Sequence, residues 1–377
     1  MNFDIGEAEK QLCERIRRLF AVDAGADLIL LEGDRTEEVR KATLRWSASL
    51  GQAGYLTPGV MNGRNSVSLV VIQEQLAALA PSLFISVEAS TRIFGRLVAV
   101  YGTSEQKDAI LPGLTSGRII GTAALSEQEM NIENDPLDTT GVSSTEGLRV
   151  TGSKGHVVNA AIADWIAVAG KIDGEPETAF FLIDRTSKGL FIGDRLATLG
   201  YEGAAISSIR LEDCPVPSTH VIRPIKGNDA LKTVRSWEDQ ALTAASLGLM
   251  RRAFDGAAAF AKTHRSGGKA IIAYQEIGFK LAEMLTLLQT AQLLAYRAAW
   301  MSESGDREAD ALAHCAKVFC AEFAEKIASE ALQILGKKGY IRGNPAETGY
   351  RDAKYLQIAG TSTEISRMKI GDAVLGY

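Results

Sequence analysis

The stretch SWEDQALTAASLGLM places an acid among apolar residues. If a helix opens near Ser236, then Glu238, Leu242, Ala245 and Leu249 recur at four, three and four and share one face. An ionised carboxylate on such a face is costly to bury unless it is paired or neutral. A chain that keeps one there has a candidate proton acceptor. The plainer reading is a first-turn acid favouring the helix N-terminus. Glu88, within FISVEAST, either binds a polar substrate end or is a solvated helix residue, the commoner case. Four cysteines and four histidines show no metal-ligand spacing; Cys315 and Cys320 lie five apart without a second pair. No metal is expected.

The elements that must carry these residues are legible in outline. Apolar residues recur at helical spacing over Glu7–Leu30, Glu37–Leu50, Val67–Leu79 and Arg92–Tyr101, interrupted by TPGVMNGRNS and Pro81. TSEQ signals a capped helix over Ser104–Leu111. From about Gly117 to Pro224 the runs are short and β-favouring; Trp165–Ala169 and Phe180–Ile183 read as buried strands, and Ile209 and Leu211 alternate with polar neighbours. From Leu231 onward Ala and Leu dominate. The face Leu281, Met284, Leu285, Leu288 is apolar, with Lys280, Glu283 and Arg297 off it. The expected class is α+β: an N-terminal helical domain (1–117), a small β-barrel or sandwich domain (118–226) and a C-terminal four-helix bundle (227–377). Such long apolar stripes are usually buried partly against other subunits, so a homo-oligomer is expected.

With 377 residues, 46% apolar and a net charge of −5, the chain has an ordinary globular balance that excludes wholesale disorder and makes nucleic acid an unexpected partner. No apolar stretch is long and clean enough to span a bilayer, and the opening MNFDIGEAEKQ lacks a secretory pattern. A cytoplasmic protein without membrane partners is expected.

The order of helices, β insert and bundle resembles the acyl-CoA dehydrogenase family. The resemblance is carried by YGTSEQKDAILPGLTSGRIIGTAALSE, VTGSKGHVVNAAIADWIAVAGK, LEDCPVPSTHVI, HRSGGKAIIAYQEIGFKLAEM and QILGKKGYIRGNPAETGYRDAKYLQIAGTSTEIS, in family order at near-normal spacing. It implies an FAD-bound homotetramer or homodimer. It also implies α,β-dehydrogenation of an acyl thioester, with an electron-transfer flavoprotein or similar acceptor. The family's usual base lies in a Tyr-Glu-Gly-Thr run near the C-terminus, but here QIAGTSTEIS offers only Ala359 or Gly360. A minority of relatives carry the base about ten residues before a Leu-Gly-Leu-Met-like segment, where Glu238 stands. Gly360 then keeps a role as a backbone oxyanion donor. Glu88 falls where the family builds its acyl-pocket wall.

The flavin motifs match in part. LSEQEMNIE retains Leu125 and Ser126, with Asn131, Ile132 and Glu133 in place of Gly-Ser-Asp. In KGHVVN, His156, Val157 and Val158 stand at the flavin ring, His156 for the family's Trp and Val158 for its Thr, and Asn159 is retained. Arg265 corresponds to an Arg reaching a neighbouring subunit's FAD. Gln275, Gln333 and Gly336 are further matches, Lys337 replaces a Gly, and Ser362 and Glu364 close the site. The residue after the base is commonly Arg in relatives and here is Asp239, an unfavourable neighbour for anionic CoA. That favours an acyl carrier protein thioester, a reading to which Trp237-Glu238 adds. The alternative is an acyl-CoA whose phosphates meet Arg235, Lys232 or Lys226. So many replacements leave two readings: an enzyme with altered FAD contacts, or a silent acyl-binding scaffold.

Overall fold

The computed structural model describes residues 6–22, 35–57, 66–127, 137–224 and 229–376. Helices α1 (Glu7–Val22), α2 (Thr36–Ala53) and α3 (Ser66–Leu79) open the chain. Asn131, Ile132, Glu133 and Lys226 lie outside the described residues, as does 23–30 of the first expected helix. Pro81 ends α3 and starts α4 (Pro81–Glu88), where a first-turn proline loses no helical hydrogen bond. The chain then widens into a π-helical segment, Ala89–Gly95, before α5 (Arg96–Tyr101). The helix expected over Arg92–Tyr101 is therefore the second half of a longer rod, buried from Pro81 to Gly95 and partly exposed at its end. Helix α6 (Ser104–Thr115) carries the capping box that TSEQ signalled, Thr103 and Gln106 bonding reciprocally.

Strands β1 (Gly121–Ala124), β2 (Thr140–Ser144), β3 (Gly147–Val157), β4 (Trp165–Ile172), β5 (Thr178–Asp184), β6 (Leu190–Arg195), β7 (Ser207–Val216) and β8 (Val221–Ile222) form one mixed sheet. Both β1 and β2 run parallel to β4, β1 pairing over Trp165–Val168 and β2 over Lys171–Ile172. The free end of β1 therefore leads away from the sheet toward the helices.

The C-terminal part comprises α7 (Ala230–Thr263), the hairpin β9 (Arg265–Ser266) and β10 (Lys269–Ala270), α8 (Gln275–Ser304), α9 (Ala309–Leu335), α10 (Pro345–Ile358) and α11 (Thr363–Leu375). Helix α7 starts at Ala230, capped by Asp229, and not near Ser236. Glu238 is therefore more than two turns inside the helix, and the first-turn explanation for it falls. Small residues let these helices approach closely. A Cβ on Gly248 would lie 2.5 Å from that of Ala77 on α3. A second apolar cluster joins Ile93 and Leu97 to Ala167, Phe180 and Leu182 of the sheet and to Ala230 and Val234 of α7. It fixes all three parts around one junction.

Candidate active site

At that junction lies a cavity of about 330 Å³. The buried rod contributes Ile85, Glu88, Ala89 and Ile93; the ends of β1 and β3 contribute Thr122, Leu125, Ser126, His156 and Val158. Helix α7 adds Arg235, Glu238, Ala241 and Leu242, and α10 with its following turn adds Tyr355, Ile358, Ala359 and Gly360. Thr198 and Ile206 complete the wall. Seven residues singled out from sequence thus converge: Glu88, Leu125, Ser126, His156, Val158, Glu238 and Gly360. Val157 is buried behind this wall.

Glu238 is the less enclosed of the two carboxylates here, its side chain 22% exposed. Arg235, one turn earlier, donates through Nη1 to Glu238 Oε2 and through Nη2 to Ser126 Oγ at 2.6 Å. One buried guanidinium therefore ties the acid on α7 to the hydroxyl on the β wall. This corrects the placement of Arg235 at a phosphate-binding rim: its head points inward because two acceptors await it there. Lys232 remains at the surface, 3.5 Å from Asp310. Tyr355 also faces the cavity; burial raises its phenol, and the charge of Glu238 adds to that rise.

The β wall is held from behind. Lys154 Nζ donates to Leu125 O at 3.2 Å and to Glu127 Oε1 at 3.0 Å, and Glu127 also accepts from Thr139 Oγ1 at 2.6 Å. Burial pulls the Lys154 ammonium down to about 8, although Glu127 pulls it back up. Thr122 Oγ1 donates to Val158 O at 2.6 Å. Asn159, in the left-handed region at φ 65°, accepts from Ser86 Oγ and donates to Ser86 O. Its role is to dock β3 onto α4.

Glu88 is not the solvated helix residue the sequence favoured. It is fully buried, accepting from Tyr55 Oη at 2.6 Å and Gln73 Nε2 at 2.5 Å, with Arg92 Nη1 at 3.2 Å. Burial raises its carboxyl, while Arg92 and the two hydrogen bonds lower it.

Asp239 is a second correction. It faces away from this cavity, buried behind the 359–361 turn, where it accepts from Thr361 N at 2.8 Å. Burial raises its carboxyl, opposed mainly by the charge of Lys317. It lies outside the cavity that holds Glu238 and lines a separate pocket with Lys232, Arg235 and Thr361, its charge opposed by Lys317.

The remaining flavin candidates lie elsewhere. Arg265, Gln275, Gln333 and Gly336 are exposed. They share one end of the bundle, because Lys280 one turn beyond Gln275 bonds Glu330 one turn before Gln333 at 2.5 Å, and Lys338 lies over the Phe260 ring next to the β9–β10 hairpin. Arg265 donates to Gly268 O at 2.5 Å and Lys337 is exposed. Ser362 caps α11 by accepting from Ile365 N; Glu364, in that first turn, is exposed and lowered by a backbone hydrogen bond. None of these lines the cavity of the single chain.

Sequence reasoning missed Lys154, Glu127 and Tyr355. For Lys154 a signal existed: Leu148, Val150 and Lys154 occupy inward positions of β3 at even spacing. Tyr355 had only its spacing of three from Asp352 on a buried helix face. Among the described residues no cluster could hold a metal, and no helix is long and apolar enough to cross a membrane.

The cavity suits a flavin. At about 330 Å³ it falls within the roughly 300–1,000 Å³ of ordinary ligand pockets. Its β wall offers the Ser126 hydroxyl and the apolar surface of Leu125 and Val158.

Comparison with known proteins bears on the same residues. The model of the acyl-CoA dehydrogenase N-terminal domain matches residues 6–118, and that of the acyl-CoA dehydrogenase C-terminal domain matches 226–375. A caffeyl-CoA reductase–Etf complex subunit of Acetobacterium woodii is 27% identical over 97% of this chain and 98% of its own. In fold, the chain is similar to butyryl-CoA dehydrogenase from Megasphaera elsdenii, with TM-score 0.87, 21% identity and full coverage of both chains. It is also similar to a glutaryl-CoA dehydrogenase from Mycobacterium smegmatis in complex with FADH2, with TM-score 0.85, 19% identity and coverage of 99% and 96%.

Proposed function

The chain belongs to the acyl-CoA dehydrogenase family, and from that premise we propose that it dehydrogenates the α,β bond of an acyl thioester with Glu238 as proton acceptor. It is an oxidoreductase acting on CH–CH bonds, with FAD as cofactor. The observation carrying the assignment is the Arg235 bridge: it holds Glu238 and Ser126 in one cavity whose other rim, at Gly360, has no side chain to serve as base.

The residues then divide the work. Glu238 removes the α proton, and Arg235 holds its carboxylate toward the cavity. Gly360 N–H has no hydrogen-bond partner among the described residues, although its neighbours Ala359 and Thr361 both donate. It is therefore free to meet the thioester oxygen as negative charge develops there. FAD supplies the acceptor for the hydride leaving the β carbon. Leu125, Ser126, His156, Val157 and Val158 form or back its wall. Arg265, Gln275, Gln333 and Gly336 serve the FAD of a neighbouring copy in a homotetramer or homodimer, with Ser362 and Glu364 at the rim. Glu88 shapes the acyl end. The thioester arrives on CoA or on a carrier protein's phosphopantetheine, electrons leave to an electron-transfer flavoprotein, and the compartment is the cytoplasm.

Purified protein tests this directly. Glu238→Gln should keep its FAD absorbance, escape bleaching by substrate and turn over about 10²–10⁴-fold more slowly. Full turnover in that variant removes Glu238 as base. Protein that stays colourless with added FAD supports the scaffold reading. Butyryl-CoA and the same acyl group on a carrier protein, compared by kcat/KM, decide the carrier.

A further inference from the structure

The turn after α10 is gripped from behind by two oppositely charged, fully enclosed side chains. Lys317 on α9 donates through Nζ to Leu356 O at 2.6 Å and Ala359 O at 3.0 Å. Asp239 on α7 accepts the Thr361 N–H at 2.8 Å. Both are buried, Lys317 completely. Between these two anchors sits Gly360, at φ +67°, a conformation that costs ordinary residues about 1–2 kcal/mol. A Cβ at this position would lie 2.4 Å from Asp239 Oδ1 and 2.8 Å from Leu242 Cδ1. Asp239 therefore does two things at once. Its Oδ1 accepts from the Thr361 N–H, while the preceding N–H, of the cavity-lining Gly360, has no hydrogen-bond partner among the described residues. It also closes position 360 to any side chain.

We propose that Asp239, with Lys317 as its counter-charge, is the positioning residue for the oxyanion donor: the pair clamps the 356–361 segment so that the Gly360 N–H stays fixed at the cavity wall. This rests on the reading of Gly360 as a donor to the thioester oxygen. It also explains why an acid can stand next to the base without competing with it. Glu238 lines this cavity, while Asp239 lies on another face of α7 against the 360–361 turn.

Replacing only Asp239 by an apolar residue would strand Lys317 as an uncompensated buried charge and risk unfolding. The informative variant is Asp239→Leu/Lys317→Met, which removes both buried charges together and so leaves neither uncompensated. Asp239→Asn, whose amide oxygen still accepts from Thr361 N–H, also removes the counter-charge of Lys317, so it is expected to lose stability while keeping the grip on the turn. The carbonyl stretch of ¹³C-labelled butyryl-CoA bound to holoenzyme carrying Glu238→Gln reports polarisation without turnover. That band should move to lower frequency on binding, keep most of its shift with Asp239→Asn, and lose it in the double variant. On the Glu238 background the double variant should lose roughly 10²-fold in kcat, the effect of one oxyanion donor, with KM changed less than about threefold if the donor acts mainly in the transition state. A folded, FAD-loaded double variant with an unchanged band and kcat overturns the clamp. No shift in the parent holoenzyme overturns the donor role of Gly360 itself, and the clamp with it.

Discussion

Two carboxylates face the same cavity from opposite walls and are built in opposite ways. Glu88 is enclosed and saturated, with Tyr55, Gln73 and Arg92 all directed at it, and the Arg92 guanidinium itself stacked 4.1 Å from the centre of the Tyr55 ring. Glu238 has one guanidinium partner and an open side toward the cavity. A carboxylate held by three donors is architecture: a proton placed on it would compete with those donors. A carboxylate with one fixed partner and free space has somewhere to accept a proton from.

Exchanging each acid for its amide should separate the two roles. Glu238→Gln, the largest functional effect, should cost less stability than Glu88→Gln, because the Glu238 carboxylate is partly open to the cavity and Arg235 keeps Ser126 Oγ as an acceptor. Glu88→Gln should do the reverse. It leaves Arg92 buried without a counter-charge, at a cost of about 3–5 kcal/mol, read as a lowered denaturant midpoint, while kcat stays within a few-fold. A Glu88→Gln protein of full stability and no activity would invert the comparison and move the base to that wall.

Asp352 is an intermediate case, whose effect is confined to a window of pH. It accepts the Tyr201 N–H at 2.6 Å and so anchors the loop bearing Thr198 and Ile206, yet among the described residues it has no ion-pair contact, and burial pushes its carboxyl up to about 7. Between pH 4 and 7 the folded chain holds a proton there that the unfolded chain has lost, so this group's contribution to stability falls as pH rises. Asp352→Asn keeps the acceptor and cannot titrate. Its melting temperature, relative to the parent, should therefore climb steadily from pH 4.5 to 7.5; a constant difference would mean the carboxyl is ionised throughout.

The sequence on its own determined the order of helices, strands and bundle, the capped turn at Thr103, and the one acid on an apolar face that the usual tail position lacked. These follow from periodicity and local residue types, which act over a few residues and are visible in one dimension. Motif matching also found Ser126 and His156, because strand ends carry their residues to the same place whenever the strand forms. Only the tertiary structure decided what each charge meets. Arg235 looked like a rim cation, Glu88 a solvated acid and Asp239 a neighbour of the substrate. Each reading failed because the partner lies tens to hundreds of residues away: Ser126 for Arg235, Tyr55 for Glu88, and Thr361 and Lys317 for Asp239. A side chain's charge is written in the sequence, but its role depends on which opposite charge or donor packing brings within about 3 Å, and no local pattern records that.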